Sequence, residues 1–327
     1  METRKIQKTG GSTYIISLPK QWMVENNLKN GNVVAMEVDE NSLRIWNPNV
    51  ELSEKKASLS IERNRTMFER LFISAYIKGL DSIEIRSKTI MSAETKDFIR
   101  NFSREFIGME IVNEKTGVVE INSILGPKGL SINSGIRRMC LITRSMFEDV
   151  IHVLEQKNKR ICDEIIGRDY DINRLSMFVA RRCHEILEGK VNEQVKKGET
   201  SDFLLFSRTL ERIADHAKNI AGNIKETESI DKKIERNIIK NGNDLLKLFD
   251  DTITSFFKHN ENLANTSIDL ARKMALEIYE ISEGESTQTV PIAYIIESLS
   301  RCASYISDLG EIAINHIMGD VKERNIR

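Results

Sequence analysis

Leu210-Glu211-Arg212-Ile213-Ala214-Asp215-His216-Ala217-Lys218-Asn219-Ile220-Ala221 holds the pattern from which the rest of the chain can be read. At roughly 100° per residue, Leu210, Ile213, Ala217, Ile220 and Ile224 fall on one stripe of a helix. Glu211, Asp215 and Asn219 follow a second line, four residues apart, well away from that stripe. The spacing predicts an amphipathic helix with an apolar face to bury and a row of side-chain oxygens outside it. A similar text returns 89 positions later as Arg301-Cys302-Ala303 to Asp308-Leu309-Gly310. Asp169-Tyr170-Asp171-Ile172-Asn173 likewise returns as Asn265-Thr266-Ser267-Ile268-Asp269. Two matched pieces in the same order predict an internal duplication.

Working outward, no proline stands between Pro127 and Pro291, which leaves room for long uninterrupted helices. Six helical stretches are expected: Ser134–Ile166, Asp171–Glu188, Asp202–Glu226, Asp231–Lys258, Glu261–Ser282 and Pro291–Met318. They group as two consecutive three-helix bundles, 133–228 and 229–327. Upstream, 49–132 mixes both periods and reads as an α+β module. A helix runs over Ser58–Leu80 and another over Ser92–Phe106. Strands are expected over Ser82–Arg86, Glu110–Val112 and Val118–Ile124. The first text, 1–48, has strands over Ser12–Leu18, Val33–Val38 and Ser42–Trp46, with a short helix-like run at Gln21–Leu28. Strands this short bury little, so the segment needs a partner chain. The expected fold is multidomain: a small β head, an α+β middle and an all-α tandem body.

The chain has 327 residues, 48 Lys and Arg against 49 Asp and Glu, and 30% charged but only 6% aromatic residues. That is a soluble, helix-rich profile, and no apolar run approaches the roughly 18 residues of a membrane span. METRKIQKTG lacks the apolar core of a secretory signal, so a cytoplasmic location is expected. Cys140, Cys162, Cys183 and Cys302 are far apart and read as reduced thiols.

The chemistry-bearing patterns begin with absences. There is no GxxxxGK[ST], HExxH, GxSxG or strand-linked GxGxxG, and the five histidines are single. A non-catalytic protein is expected. Glu211 and Asp215 are open to two readings: a solvated face, since such a like-charge pair costs only about 0.2–0.5 kcal/mol, or a clamp for a hard cation, with Asp169 and Asn173 as the opposite wall and Asn219 extending it. Oxygen ligands favour Mg, Mn, Ca or iron over a structural zinc site. Ser300 and Ser304 stand where the first repeat has Glu211 and Asp215, so a second cluster would be weaker or absent. At the N-terminus, Arg4, Lys5, Lys8 and Lys20 oppose only Glu2 within the first 24 residues. Such an edge suits phosphate contacts, and dimerisation would double it; an ordinary basic terminus is the plain alternative.

Two resemblances follow from these residues. Arg4-Lys5-x-Gln7-Lys8-x-Gly10-Gly11-Ser12-x5-Leu18-Pro19-Lys20-x-Trp22, then Leu28-x2-Gly31-x-x-Val34, resembles the AbrB/SpoVT swapped-hairpin DNA-binding fold. This implies an intertwined homodimer that binds double-stranded DNA, with Arg4, Lys5, Lys8 and Lys20 as the contacting residues. Leu210-Glu211-Arg212-Ile213-x-Asp215-His216-x2-Asn219-Ile220-Ala221, with Asp169-x2-Ile172-Asn173, is similar to the signature elements of the PhoU family. This implies tandem three-helix bundles binding multinuclear iron or zinc through E(D)xxxD motifs, and a role in regulating phosphate uptake beside a phosphate transporter or sensor kinase. The expected protein is a homodimeric, metal-binding, DNA-binding regulator with phosphate as an effector. The alternatives are an adaptor that docks on a transporter or kinase without touching DNA, and a metal-dependent hydrolase relying on His216.

Overall fold

The computed structural model describes residues 2–39, 42–48, 54–126, 129–191, 193, 195–283 and 289–319. The chain divides into two compact units, Met1–Glu54 and Lys55–Arg327.

In the first unit, β1 (Gln7–Thr9) and β2 (Thr13–Ile15) form one antiparallel hairpin; β3 (Ala35–Asp39) and β4 (Ser42–Trp46) form another. The turn between β1 and β2 needs Gly10, whose φ of +64° is the left-handed region. The expected strand over Ser12–Leu18 is thus shorter, and its partner β1 has no alternation to betray it. Helix α1 (Lys20–Glu25) lies between the hairpins. Asn47 Nδ2 donates to Asn26 O at 3.0 Å, fixing the end of β4 to the end of α1. Among the described residues of this unit only Leu28 is buried.

The second unit starts with a four-stranded sheet of order β5-β6-β8-β7. Its strands are β5 (Lys56–Ser60), β6 (Ser82–Arg86), β7 (Met109–Glu114) and β8 (Val118–Ser123), with β5 parallel to β6 and the other pairs antiparallel. The expected helix over Ser58–Leu80 is corrected here: its first residues form β5, and α2 (Arg65–Ile77) begins only after Asn64, whose side chain accepts from Thr66 N at 2.9 Å. The text Lys56-Ala57-Ser58-Leu59-Ser60 is half-polar and alternating, and parallel pairing with β6 decides in favour of a strand. Helix α3 (Ala93–Ser103) is capped by Ser92. Phe68, Phe72, Phe102 and Phe106 pack with Ile83, Ile85, Val119 and Ile121 as one core, and the Phe72 and Phe106 rings are 4.8 Å apart.

Six long helices follow: α4 (Ile132–Gln156), α5 (Ile161–Glu188), α6 (Thr200–Glu226), α7 (Lys232–Lys258), α8 (Glu261–Glu283) and α9 (Val290–Gly319). The break between the first two lies at Lys157, in the left-handed region at φ 57°, and not at the expected Gly167–Tyr170. Gly167 stays helical inside α5, so Asp169 and Asn173 project from the middle of a helix. The stripe of α6 is buried as its spacing requires: Leu210, Ile213, Ala217 and Ile220 have no exposed surface.

The duplication is visible in the packing of α6 on α9. Phe203 meets His316 and His216 meets Tyr305, with ring centroids 5.3 and 5.7 Å apart, so the two helices run antiparallel. Cys302 Sγ lies 4.0 Å from Ile213 O. The pairs Ile213–Cys302 and His216–Tyr305 each join equivalent positions of the repeat, as expected where an internal two-fold axis passes between two halves. The axis falls near Ala214 and Ala303, both fully buried. The middle module and the helices belong to one compact unit, while residues 49–53, at the expected boundary between head and middle module, lie outside the described residues.

Candidate functional site

The basic edge belongs to the first unit. Lys8 lies on β1 opposite Tyr14, and Lys20 opens α1. Lys5, Lys8 and Lys20 are exposed, and among the described residues their ammonium groups make no hydrogen bond or ion pair. Arg4 differs: its NH2 is 2.7 Å from Glu2 Oε2, so part of its charge is already answered. Elsewhere in the same unit, apolar side chains stand in solvent. Met36 and Val38 of β3 share a face with their cross-strand partners Ile45 and Leu43, and Val38 is 82% exposed. Ile6, Tyr14 and Val33 are each more than two-thirds exposed.

The carboxylate cluster is built between α5 and α6. Asp169 is buried, and its Oδ2 accepts from Asn173 Nδ2 at 3.1 Å and from Lys218 Nζ at 2.7 Å. Asp169 Oδ1 is buried with no hydrogen-bond partner. Asp215 reaches the same place from α6, with its Oδ1 3.8 Å from Lys218 Nζ. Burial pushes the Asp215 carboxyl up to about 6, helped by its hydrogen-bonding contact with Asp169 and the negative charge there. Glu211 does not join them: its Oε2 accepts from Arg208 NH1 at 2.8 Å and Ser176 Oγ at 3.0 Å. Asn219 is exposed further along α6.

The structure therefore brings together Asp169, Asn173 and Asp215 out of the five expected ligands. Among the described residues, no three His, Cys, Asp or Glu side chains stand where they could hold a metal ion. The orphaned Asp169 oxygen is the one feature that would suit a cation, but the Lys218 ammonium already lies between the two carboxylates. As folded, the donor set does not fit a multinuclear metal centre. Sequence reasoning missed Lys218, although it stands three residues beyond Asp215 and so shares its side of the helix.

The equivalent place in the second half has no carboxylate pair from α9. Ser300 Oγ donates to Ala275 O at 2.9 Å and Ser304 Oγ to Ser300 O at 3.2 Å. His216, on which the hydrolase alternative depends, turns away from Asp215 to lie on the Tyr305 ring, and burial holds its pKa below the usual imidazole value.

A second feature escaped the sequence. Arg181 and Arg182 are each 1% exposed and share Glu185, at 2.8 and 2.9 Å. Arg182 also reaches Glu193 at 3.0 Å, and Glu193 Oε2 accepts from Ile132 N at the start of α4. Arg181 NH1 donates to Tyr76 O and Leu80 O, at 3.1 and 3.0 Å. Lys190 Nζ donates to Gly79 O and pairs with Asp81. This network ties the middle module to the C-terminal half of α5.

Comparison with known proteins agrees with this division. The model of the PhoU domain matches residues 136–224, the span of the first bundle that contains Asp169, Asn173, Glu211, Asp215 and Asn219. The model of the antidote-toxin recognition protein MazE, a bacterial antitoxin, matches residues 7–48. No match is found among the curated proteins. Among solved structures, the phosphate transport system regulatory protein PhoU from Streptococcus pneumoniae is similar, with 18% identity, a TM-score of 0.49, and 59% of this chain and 96% of that one covered. PhoU from Pseudomonas aeruginosa is similar with 17% identity, a TM-score of 0.47, and coverage of 57% and 96%. The described helices contain none long and apolar enough to cross a membrane. The chain carries a PhoU domain in its first helical bundle, behind an antitoxin-type, MazE/AbrB-like N-terminal region.

Proposed function

We propose that the protein is a homodimeric DNA-binding regulator of phosphate uptake. The observation that carries this reading is the state of the first unit. It exposes Met36, Val38 and Leu43 on one face beside a half-buried Ile45, yet buries only Leu28 among its described residues. A second copy of the same unit is the partner its resemblance to intertwined hairpins implies, and burial of apolar area at roughly 25 cal/mol per Å² drives the pairing. Lys5, Lys8 and Lys20 then occur twice on one particle. Each is an exposed ammonium with no counter-charge among the described residues, as a contact to a phosphate backbone requires. The link to phosphate rests on the PhoU domain match.

Helix α5 supplies a route for regulation inside the second unit. It carries Asp169 and Asn173 in one half and Arg181, Arg182 and Glu185 in the other, so a change at the bundle is felt where the middle module is tied on. An effector acts by this route only if it binds two states with different affinity. No step of this reading passes through a metal ion.

The test is retention of duplex DNA from upstream of phosphate-transport genes at about 50 mM salt. The full chain should bind, and the variant with Lys5→Ala, Lys8→Ala and Lys20→Ala should not, while both remain dimers. One observation favours the second reading, an adaptor that docks on a transporter or sensor kinase: Arg4 is already paired with Glu2, which leaves a modest charge for DNA. No retention of DNA by either protein would favour the adaptor, and equal retention by both would rule out the three lysines as the contacts.

A further inference from the structure

The place between Asp169 and Asp215 is already filled by a cation of the chain's own. Lys218 Nζ is 2.7 Å from Asp169 Oδ2 and 3.8 Å from Asp215 Oδ1, with its side chain 37% exposed. Asn173 completes the setting by donating to the same Asp169 oxygen. Glu211, which a metal would need as a further oxygen ligand, is held elsewhere by Arg208 and Ser176. In the second half the corresponding α9 positions are serines bonded to backbone, and Arg272 of α8 forms an ion pair with Glu311 of α9. Both halves thus use a basic side chain near their α5–α6 or α8–α9 contact.

We propose that Lys218 is the resident cation of the Asp169–Asp215 pair, and that the first bundle is complete without a bound metal ion. The physical argument is one of substitution. A second carboxylate beside the buried Asp169 is repelled unless a positive charge offsets it, and leaving a buried charge such as Asp169 unpaired is costly. An ammonium meets this need with three N–H donors and no coordination geometry to satisfy. Without Lys218, the same place offers Asp169 Oδ1, Asp169 Oδ2 and the Asp215 carboxylate, an all-oxygen set suited to a hard divalent cation such as Mg²⁺, Mn²⁺ or Ca²⁺.

The experiment uses the full-length protein and three variants: Lys218→Met, Lys218→Arg and the double variant Lys218→Met/Asp215→Asn. Metal content is measured by elemental analysis after dialysis without chelator, and melting temperature is followed with EDTA or with Mn²⁺ in millimolar excess. The wild type should hold far less than one metal per chain, and neither EDTA nor Mn²⁺ should move its melting temperature. Lys218→Met should melt about 3–6 °C lower and recover with Mn²⁺. Lys218→Arg should melt like the wild type, and Asp215→Asn should restore most of the loss in the double variant. If Lys218→Met does not fold, its recovery in the double variant still supports the pairing, and failure of both sinks it. Stoichiometric iron, zinc or manganese in the wild type, or an unchanged melting temperature in Lys218→Met, would overturn the proposal. Neither result bears on what the N-terminal unit binds.

Discussion

The first 54 residues and the remainder of the chain solve the problem of burial in opposite ways. Helix α6 alone buries eleven side chains, and its apolar stripe is closed on all sides by α4, α5 and α9. The first unit buries Leu28 among its described residues and leaves Val38 and Val33 more than 70% exposed. One region carries its own core, and the other has the apolar residues of a core without the chain to close it. The lesson is that strands of three to five residues do not close a core by themselves, and the proposed second copy is what would close this one.

The sharpest way to break this contrast is to charge the apolar face of the second hairpin. Val38→Asp should convert the dimer to a monomer by light scattering while leaving the helical circular dichroism intact. On a unit that stands alone, a substitution at a position 82% exposed would cost less than about 0.5 kcal/mol and leave the mass unchanged. Within the second unit, the next largest effect is expected at Glu185, which answers both Arg181 and Arg182 in the interior. Glu185→Ala should destabilise by about 3–5 kcal/mol in chemical denaturation, because two buried guanidinium groups lose their shared partner. Gly310 of α9 follows. A Cβ there would lie 2.6 Å from Ile268 Cγ1 on α8, so Gly310→Ala should cost about 1–3 kcal/mol by overpacking.

The smallest effect concerns Asp215. Its carboxyl is raised to about 6, above its ordinary 3.8, so the folded state binds its proton more tightly than the unfolded state does. The sign follows: this group opposes folding when ionised above about pH 6, and the penalty fades as pH falls from 6 towards 4. Asp215→Asn should therefore stabilise at pH 7.5 by about 1 kcal/mol, a figure reduced because the side chain is half exposed. The gain should vanish near pH 4. A variant that is less stable than wild type at pH 7.5 would show that Lys218 draws more from Asp215 than the 3.8 Å separation suggests.

Most of the helical architecture was legible because long stripes decide it. Leu210, Ile213, Ala217 and Ile220 were placed inside by spacing alone, and the duplication seen in the text reappears as Ile213 against Cys302 and His216 against Tyr305. The errors fell where local chemistry gives no sign. Lys157 ends α4 in a left-handed conformation that glycine or asparagine usually advertises, whereas Gly167 advertises a break that α5 ignores. Strands β1 and β5 are too short or too polar to show a period, and only their pairing reveals them. The candidate site was half legible. The four-residue spacing found Asp169, Asn173 and Asp215, but rotamer choice turned Glu211 towards Arg208, and a lysine on the same face took the central position. The buried Arg181–Glu185–Arg182 network left no mark in the sequence, since an i,i+4 charge pair reads the same on a solvated face as in an interior.

The central claim is that the N-terminal unit of a dimer reads DNA through paired lysines. It is tested most directly by titrating duplex DNA with the full chain from about 50 to 200 mM salt and plotting log affinity against log salt concentration. Lys5, Lys8 and Lys20 from two copies give roughly six phosphate contacts and a slope near −5, and the triple alanine variant should abolish both the slope and the binding. A dimer that shows no binding at 50 mM, or a slope that the three substitutions leave unchanged, would contradict the account.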